Sequence, residues 1–492
     1  WRYEGIGWYS DTSSGTAVFR QYNPNATSGS HNFTASAEER GNLVKVGWND
    51  EGIAWYGSNH ATVRLGQGRW IVTSAWGSLQ RYWLGQDATI ARSRLVDPSE
   101  GSGWYARATS DGSVVRGKYV DGGTGYVYLA NNDGRLEGPG RVTTSAYDRG
   151  ARHSYLIDET AHAAIPGLHA LGDGTSLTLS GSGWLLQSGS GSWDDQTYLA
   201  DANAVLAPDL TATFSTQKGK QPQTVRSFSA NGRLYVFLPS YASLTNVTLG
   251  ASLQDGSPVT VRVRGNGDFV TIDGSAVDLA ALCGVDPSSK SVTLSLAREG
   301  SDSVFQVVVM RSSGVETIFL NSEDPDDKGR AYVEADPHHN TKANVEVVAI
   351  ADDGPVVYSK DDPDKGKFST VKGRGNSTWG GKKKPYQISL NKKADLLQTG
   401  EKDNAQKKWI LLANANDASQ LHSTIAYNLA LELGMVGVQC RPVDLYYDGE
   451  YRGSYLLTEK VEVKPGRVDI DSLEDRIEEA NRDVDLGSLP TR

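Results

Sequence analysis

Val443-Asp444-Leu445-Tyr446-Tyr447-Asp448-Gly449-Glu450-Tyr451-Arg452-Gly453-Ser454-Tyr455-Leu456-Leu457-Thr458-Glu459-Lys460 is the stretch on which the reading of this chain turns. Val443, Leu445 and Tyr447 alternate, Asp448-Gly449 supplies a tight turn, and Tyr451 to Leu457 return, which reads as a hairpin. Upstream, Tyr386, Ile388 and Leu390 alternate on one strand and Trp409 to Ala413 form an apolar one. A helix is expected between that strand and the hairpin. Asp417 can cap it, Gln420 stands at the capping-box position, and Leu421, Ile425 and Leu429 make one apolar stripe before Gly434 stops it.

Working outward, Thr211 to Met310 carries period-two runs at 233–238, 259–263, 269–272, 292–296 and 305–309. Asn266-Gly267 between two of them is a hairpin signal. The region reads as a β-sandwich spacer without chemistry of its own. Residues 1 to about 205 are repetitive. Trp1, Glu4, Gly5, Trp8 and Tyr9 return 47 positions later as Trp48, Glu51, Gly52, Trp55 and Tyr56, and Val72 to Trp76 are echoed by Thr143 to Tyr147. Such spacing predicts tandem short-strand units. The expected organisation is therefore multidomain: β-rich tandem repeats over 1–57 and 58–205, a β-sandwich spacer over 206–313, and a further module over 314–492.

Composition narrows the function classes. At 492 residues the chain exceeds a single core. A net charge of -10 without a basic run argues against a nucleic-acid partner. No apolar run is long enough for a membrane-spanning helix. The two cysteines, Cys283 and Cys440, fall in different modules and do not suggest a disulfide framework. Abundant Gly, Ser, Asp, Trp and Tyr fit an exported bacterial protein, and a chain running from Trp1 to Arg492 is expected to be a piece of a longer one. Exposed Trp and Tyr beside Asn, Gln and Asp suit a sugar ring. Trp8, Tyr9, Trp55, Tyr56, Trp104 and Tyr128 are the glycan-binding candidates, the structural alternative being that these rings form the cores of small units.

Two resemblances add to this. The unit from Val18 to Tyr56, with Phe19-Arg20-Gln21-Tyr22-Asn23-Pro24-Asn25, His31-Asn32-Phe33-Thr34, Ala37-Glu38-Glu39-Arg40 and Gly52-Ile53-Ala54-Trp55-Tyr56, resembles an aromatic-rich repeat of unknown function found on bacterial wall lysozymes and surface proteins. Residues 68 to 168, with Tyr128-Leu129-Ala130-Asn131-Asn132-Asp133-Gly134, more loosely resemble choline- or glucan-binding wall repeats of Gram-positive bacteria. Farther on, Lys372-Gly373-Arg374-Gly375-Asn376-Ser377-Thr378-Trp379, Lys383-Lys384-Pro385-Tyr386, Lys408-Trp409-Ile410-Leu411-Leu412-Ala413-Asn414 and the 443–460 stretch resemble, over roughly 315 to 475, the CotH kinase family.

That resemblance implies an α+β, atypical-kinase-like N-terminal half-domain that uses ATP with Mg or Mn to phosphorylate Ser or Thr of a protein substrate. It points to Arg374 and Lys384 as phosphate contacts and to Glu459 as the carboxylate orienting Lys384. Each has a structural alternative: Arg374 bracing its turn, Lys382 to Lys384 forming a solvated face, and Glu459 pairing with Arg452 or Lys460. At His422 and Ser423 the chain departs from the Arg and Asn that relatives carry. The metal-holding Asp-rich segment of the family is not found between Glu459 and Arg492. No catalytic or metal residue is therefore assigned within the chain; the catalytic groups are expected downstream of Arg492, and the segment by itself is expected to be inactive. Two readings follow: a secreted surface kinase directed to the cell wall by carbohydrate-binding repeats, or a non-enzymatic wall-bound adhesin with a kinase-like domain.

Overall fold

The computed structural model describes residues 15–27, 30–57, 68–74, 78–85, 89–98, 104–171, 176–193, 196–215, 222–349, 356–435, 437–464, 467–468, 470–471 and 473–482. The chain divides into two compact units, one of residues 1–166 with 181–184, the other of 167–180 with 185–492. Most described secondary structure is strand, in many small sheets and two large ones.

In the first unit, Thr16–Asn23, Ser30–Thr34 and Asn49–Gly57 form one antiparallel sheet with Thr16–Asn23 in the centre. A helix, Ala37–Lys45, lies between the second and third strands, where only short strands were expected. The cause is local. Ser36 accepts a hydrogen bond from the Glu39 amide at 3.1 Å, and Glu38 and Glu39 sit at the positive end of the helix. Two-stranded hairpins follow at Arg69–Thr73 with Gln80–Leu84, Arg94–Val96 with Ala106–Ala108, Gly117–Val120 with Val127–Ala130, and Gly140–Thr144 with His153–Ile157.

The second unit opens with two more hairpins, Gly167–Ala170 with Ser176–Leu179 and Gly189–Trp193 with Gln196–Ala200. Next come a four-stranded and a six-stranded sheet that share one apolar core, the expected sandwich. Leu210, Val236, Leu249, Val263, Leu294 and Val307 meet there, all at the inward positions of alternating strands. Asn266-Gly267 does not make a two-residue turn. Val261–Arg264 and Val270–Thr271 are joined by five residues, and the Asn266 side-chain amide donates to the carbonyl of Cys283 instead. Cys283 is buried and unbonded to Cys440.

The last module contains eight strands, β1 (Glu316–Ser322), β2 (Asn340–Val348), β3 (Val356–Tyr358), β4 (Ser369–Gly373), β5 (Tyr386–Ala394), β6 (Gln406–Leu412), β7 (Cys440–Tyr447) and β8 (Glu450–Glu459). They are ordered β1-β7-β8-β6-β5-β4-β2-β3, and β1 also pairs with β2. Seven strands thus close into a barrel with β3 on its edge. All pairs are antiparallel except β1 with β7. Asp448 and Gly449 both have positive φ, 49° and 79°, as the tight β7–β8 turn requires. Inside, Tyr386, Ile388, Trp409, Leu411, Val443, Leu445, Tyr447 and Leu457 pack as one core. Outward-facing Phe319, Val348 and Tyr446 are buried against the sandwich core, so these strands are apolar on both faces.

The one long helix described between β6 and β7, α1 (His422–Glu432), leaves the apolar stripe Leu421, Ile425 and Leu429 exposed. Its N-cap is Leu421, not Asp417; Gln420 has a φ of 60° and ties back to the Asn414 and Asp417 carbonyls. The α+β half-domain implied by resemblance is, among the described residues, built on a closed β-barrel with α1 at its flank.

Candidate functional site

A pocket of about 390 Å³ opens where β6 ends and α1 begins. Its floor is Pro385, Leu412 and Ala413, and its polar rim includes Thr378, Asn414, Asp417, Ser423 and Tyr427. The chain turns sharply out of β6: Asn414 has a φ of 47°, and its side-chain oxygen accepts from the Ser423 hydroxyl at 3.4 Å. Asp417 accepts from the Ser419 hydroxyl at 2.6 Å, the Ser419 amide at 2.9 Å and the His422 amide at 2.8 Å. The Ser419 hydroxyl, followed by those amides, holds the carboxyl below its ordinary range. Asp417 thus serves the first helical N–H from outside the helix rather than as its cap.

Arg374 follows β4 in a turn whose next residue, Gly375, has a φ of 88°. Its guanidinium is half-buried, with no carboxylate within ion-pair distance among the described residues. Burial pushes it below its ordinary pKa, and nearby Tyr427, on the pocket rim, pulls the other way. The N-terminus of α1 has no side-chain cap on Leu421, and its first amide, that of His422, is already met by the Asp417 carboxylate. Arg374 thus brings a half-buried cation near the pocket by way of Tyr427, while the one charged side chain on the pocket's own lining is the Asp417 carboxylate.

The other two phosphate-site candidates lie elsewhere. The Lys384 ammonium donates to the Trp379 carbonyl at 2.6 Å and stands 4.9 Å from the centre of that indole. It braces the turn that carries Arg374. Glu459 is level with Trp409 and, across β6, with Ile388 on β5, two strands away, while Lys384 lies before the start of β5. It cannot orient that lysine. Glu459 instead accepts from Arg467 and from the Gln439 amide at 3.1 Å, and Arg467 lies buried 4.9 Å over the Trp409 ring. Neither alternative partner takes part: Arg452 joins Glu334 and Glu450, and Lys460 joins Glu462. Nothing in the spacing marked Arg467 as the partner.

Of the glycan candidates, Trp8 and Tyr9 lie outside the described residues. Trp55 and Tyr56 are half-buried on the outer strand of the first sheet, Trp55 5.0 Å from Phe33. Trp104 is half-buried and stacks on Trp70 at 6.0 Å. Tyr128 is only 3% exposed and has Arg107 5.0 Å over its ring, so it fills the core of its hairpin instead of facing a sugar. A composite of Lys118, Asp148, His153, Tyr155 and Trp184 was not marked by the sequence. Lys118 lies 4.7 Å over Trp184 and 2.8 Å from Asp148, and His153 stacks on Trp184 at 3.9 Å.

The chemistry these residues offer to the implied cofactor is uneven. To a phosphate group, Arg374 offers a half-buried cation without a carboxylate in ion-pair distance among the described residues. A divalent metal does not fit, because among the described residues no three His, Cys, Asp or Glu side chains converge and Asp417 is engaged by its own turn. Arg492, the residue beyond which the catalytic groups are expected, itself lies outside the described residues, which end at 482.

A barrel with a pocket between the end of β6 and the start of α1 is therefore the class of module the site defines. Residues 371–481, which include the end of β4, β5 to β8 and α1, match the CotH kinase protein family. Residues 1–58 match the Domain of unknown function (DUF5648). No curated protein matches the chain. Similar solved structures include choline binding protein F from Streptococcus pneumoniae, at 17% identity over 42% of this chain and 60% of that one, with a TM-score of 0.21. They also include the modular autolysin LytC from Streptococcus pneumoniae with a synthetic peptidoglycan ligand, at 12% identity, 55% of each chain and a TM-score of 0.14. Alternansucrase in complex with isomaltotriose shares 14% identity over 28% of this chain and 10% of that one, with a TM-score of 0.14. The chain spans less than two thirds of each of these structures' length.

Proposed function

We propose that the protein is a surface protein of the bacterial cell wall whose CotH segment binds the phosphates of ATP at the Arg374 pocket, as the nucleotide side of a Ser/Thr protein kinase. The observation that carries this reading is the half-buried Arg374 guanidinium, without a carboxylate in ion-pair distance among the described residues and near Tyr427, which lines a pocket of about 390 Å³. That volume lies within the ordinary range for small-molecule sites. Removing a charge-assisted contact to phosphate weakens binding by about tenfold or more. In calorimetric titration of the full chain with ATP and magnesium, Arg374→Ala should lose that factor. Asp417→Asn, which removes the one negative charge on the rim, should tighten binding. Equal affinity of wild type and Arg374→Ala would defeat the reading.

The N-terminal repeats are proposed to hold the protein on wall glycan through half-exposed Trp55, Tyr56 and Trp104, several weak sites being multiplied by linkage. Residues 1–492 should then sediment with purified walls, and Trp55→Ala with Trp104→Ala should reduce the bound fraction. A second reading, a non-enzymatic wall adhesin, draws support from Lys384 and Glu459, whose charges are both committed to neighbours within the fold. Transfer of labelled phosphate to any protein substrate would remove it.

A further inference from the structure

The opposite end of β6 from the Arg374 pocket, roughly 20 Å along the strand, is unlike the rest of this acidic chain. A groove of about 750 Å³ there is lined by Lys393, Lys402, Lys407, Lys408 and Lys464, with Asp403 the one acid on its wall. The lysines come from separate places, the end of β5, the loop before β6, the start of β6 and the segment after β8, so the fold gathers what the sequence disperses. Packing like charges together at a surface is unfavourable unless something answers them.

Part of the answer is visible. Glu462 stands among Lys408 at 3.2 Å, Lys460 at 2.8 Å and Lys464 at 2.6 Å. Against the cost of burial, those three ammonium groups hold its carboxyl down at about 2. One glutamate therefore already occupies one end of the patch. Lys393, Lys402 and Lys407 are exposed and have no carboxylate within ion-pair distance among the described residues.

We propose that this groove docks an acidic segment of a partner protein, whose carboxylates continue along Lys393, Lys402 and Lys407 the arrangement that Glu462 begins. The lysines present separate point charges without an arginine fork, which suits carboxylates spaced along an extended chain. The proposal does not depend on phosphoryl transfer or on nucleotide binding.

The test uses the full chain and a fluorescein-labelled peptide of ten glutamates, followed by anisotropy. Binding should weaken more than tenfold between about 50 and 300 mM salt, because exposed charges are screened within a Debye length. The triple reversal K393E/K402E/K407E should weaken it at least tenfold while the thermal midpoint and ATP affinity stay unchanged. K290E/K328E, which alters two exposed lysines elsewhere, should bind like wild type. Absence of binding, or binding that the triple reversal leaves intact, overturns the proposal. Binding of inorganic polyphosphate but not of the glutamate peptide also overturns it, by assigning the groove to phosphate polymers.

Discussion

The barrel and the hairpin repeats solve the same problem with different materials. The barrel closes seven strands around Tyr386, Ile388, Trp409, Leu411 and their neighbours, so each side chain is buried by residues distant in sequence. The hairpins of residues 69–157 are two-stranded and gather small apolar clusters between neighbouring hairpins, such as Trp83, Ala91, Val96, Ala106, Ala108 and Val114. Rings of the first unit are partly covered by the chain's own cations: Arg81 over Trp70 at 5.3 Å, Arg107 over Tyr128 at 5.0 Å, and Lys118 over Trp184 at 4.7 Å. In these small clusters basic side chains add to the ring packing, as Arg467 does over Trp409 in the barrel. The difference teaches that an aromatic-rich sequence does not by itself present open aromatic faces.

The largest expected effect lies in the barrel. Trp409 is fully buried, its indole N–H donates to the Gln406 carbonyl at 3.0 Å, and Arg467 lies over its ring. Truncation leaves a cavity and strips Arg467 of its cover. Trp409→Ala should therefore cost about 3–5 kcal/mol in denaturant unfolding, with hydrogen exchange accelerated over residues 386–459 and unchanged over 117–157. Equal acceleration in both regions would mean that barrel and repeats do not keep separate cores.

The sandwich gives an intermediate effect that depends on pH. Burial pushes the Asp209 carboxyl up to about 6, with Arg226 pulling the other way. The unfolded chain titrates near the ordinary value of about 3.9. Folding therefore favours the protonated acid: the cost of burying the charge is absent below about pH 4, grows between about pH 4 and 6, and is complete above that. Asp209→Asn should raise the thermal midpoint by roughly 2–5 °C at pH 8 and change it little at pH 4. A midpoint equally raised at both pH values would show that the carboxylate's charge is not the cause.

How much of this was legible followed how local each cause was. The β7–β8 hairpin and the strand at 233–238 were readable because alternation and Asp448-Gly449 act between near neighbours. The helix at 37–45 carried a local signal too, in Ser36 followed by Glu39, but the aromatic repeat pattern masked it. Barrel closure was not legible, since the parallel pairing of β1 with β7 joins residues more than a hundred positions apart and leaves no mark on either strand. At the site, Arg374 came from a Gly-flanked motif that also shapes its turn. The Lys384 and Glu459 pairing failed because strand register, which separates them along β5, is set by the whole sheet.

The smallest effect tests the repeats' side of the comparison. Lys118 lies 4.7 Å over Trp184 and 5.7 Å over Tyr155, and its ammonium is 2.8 Å from Asp148. Against the cost of burial, hydrogen bonds from Lys118, Tyr155 and Trp184 hold the Asp148 carboxyl below its ordinary range. Lys118→Met keeps most of the stem and removes only the charge, leaving Asp148 with the Tyr155 hydroxyl and the Trp184 indole N–H at 3.0 Å. A half-buried cation over two rings contributes about 1–2 kcal/mol, so unfolding followed through the first unit should lose that much. Lys118→Arg should lose less, because the cation over the rings is kept. If the methionine variant is as stable as wild type, the ring faces do not need a cation, and the contrast drawn between barrel and hairpins fails at its best-defined point.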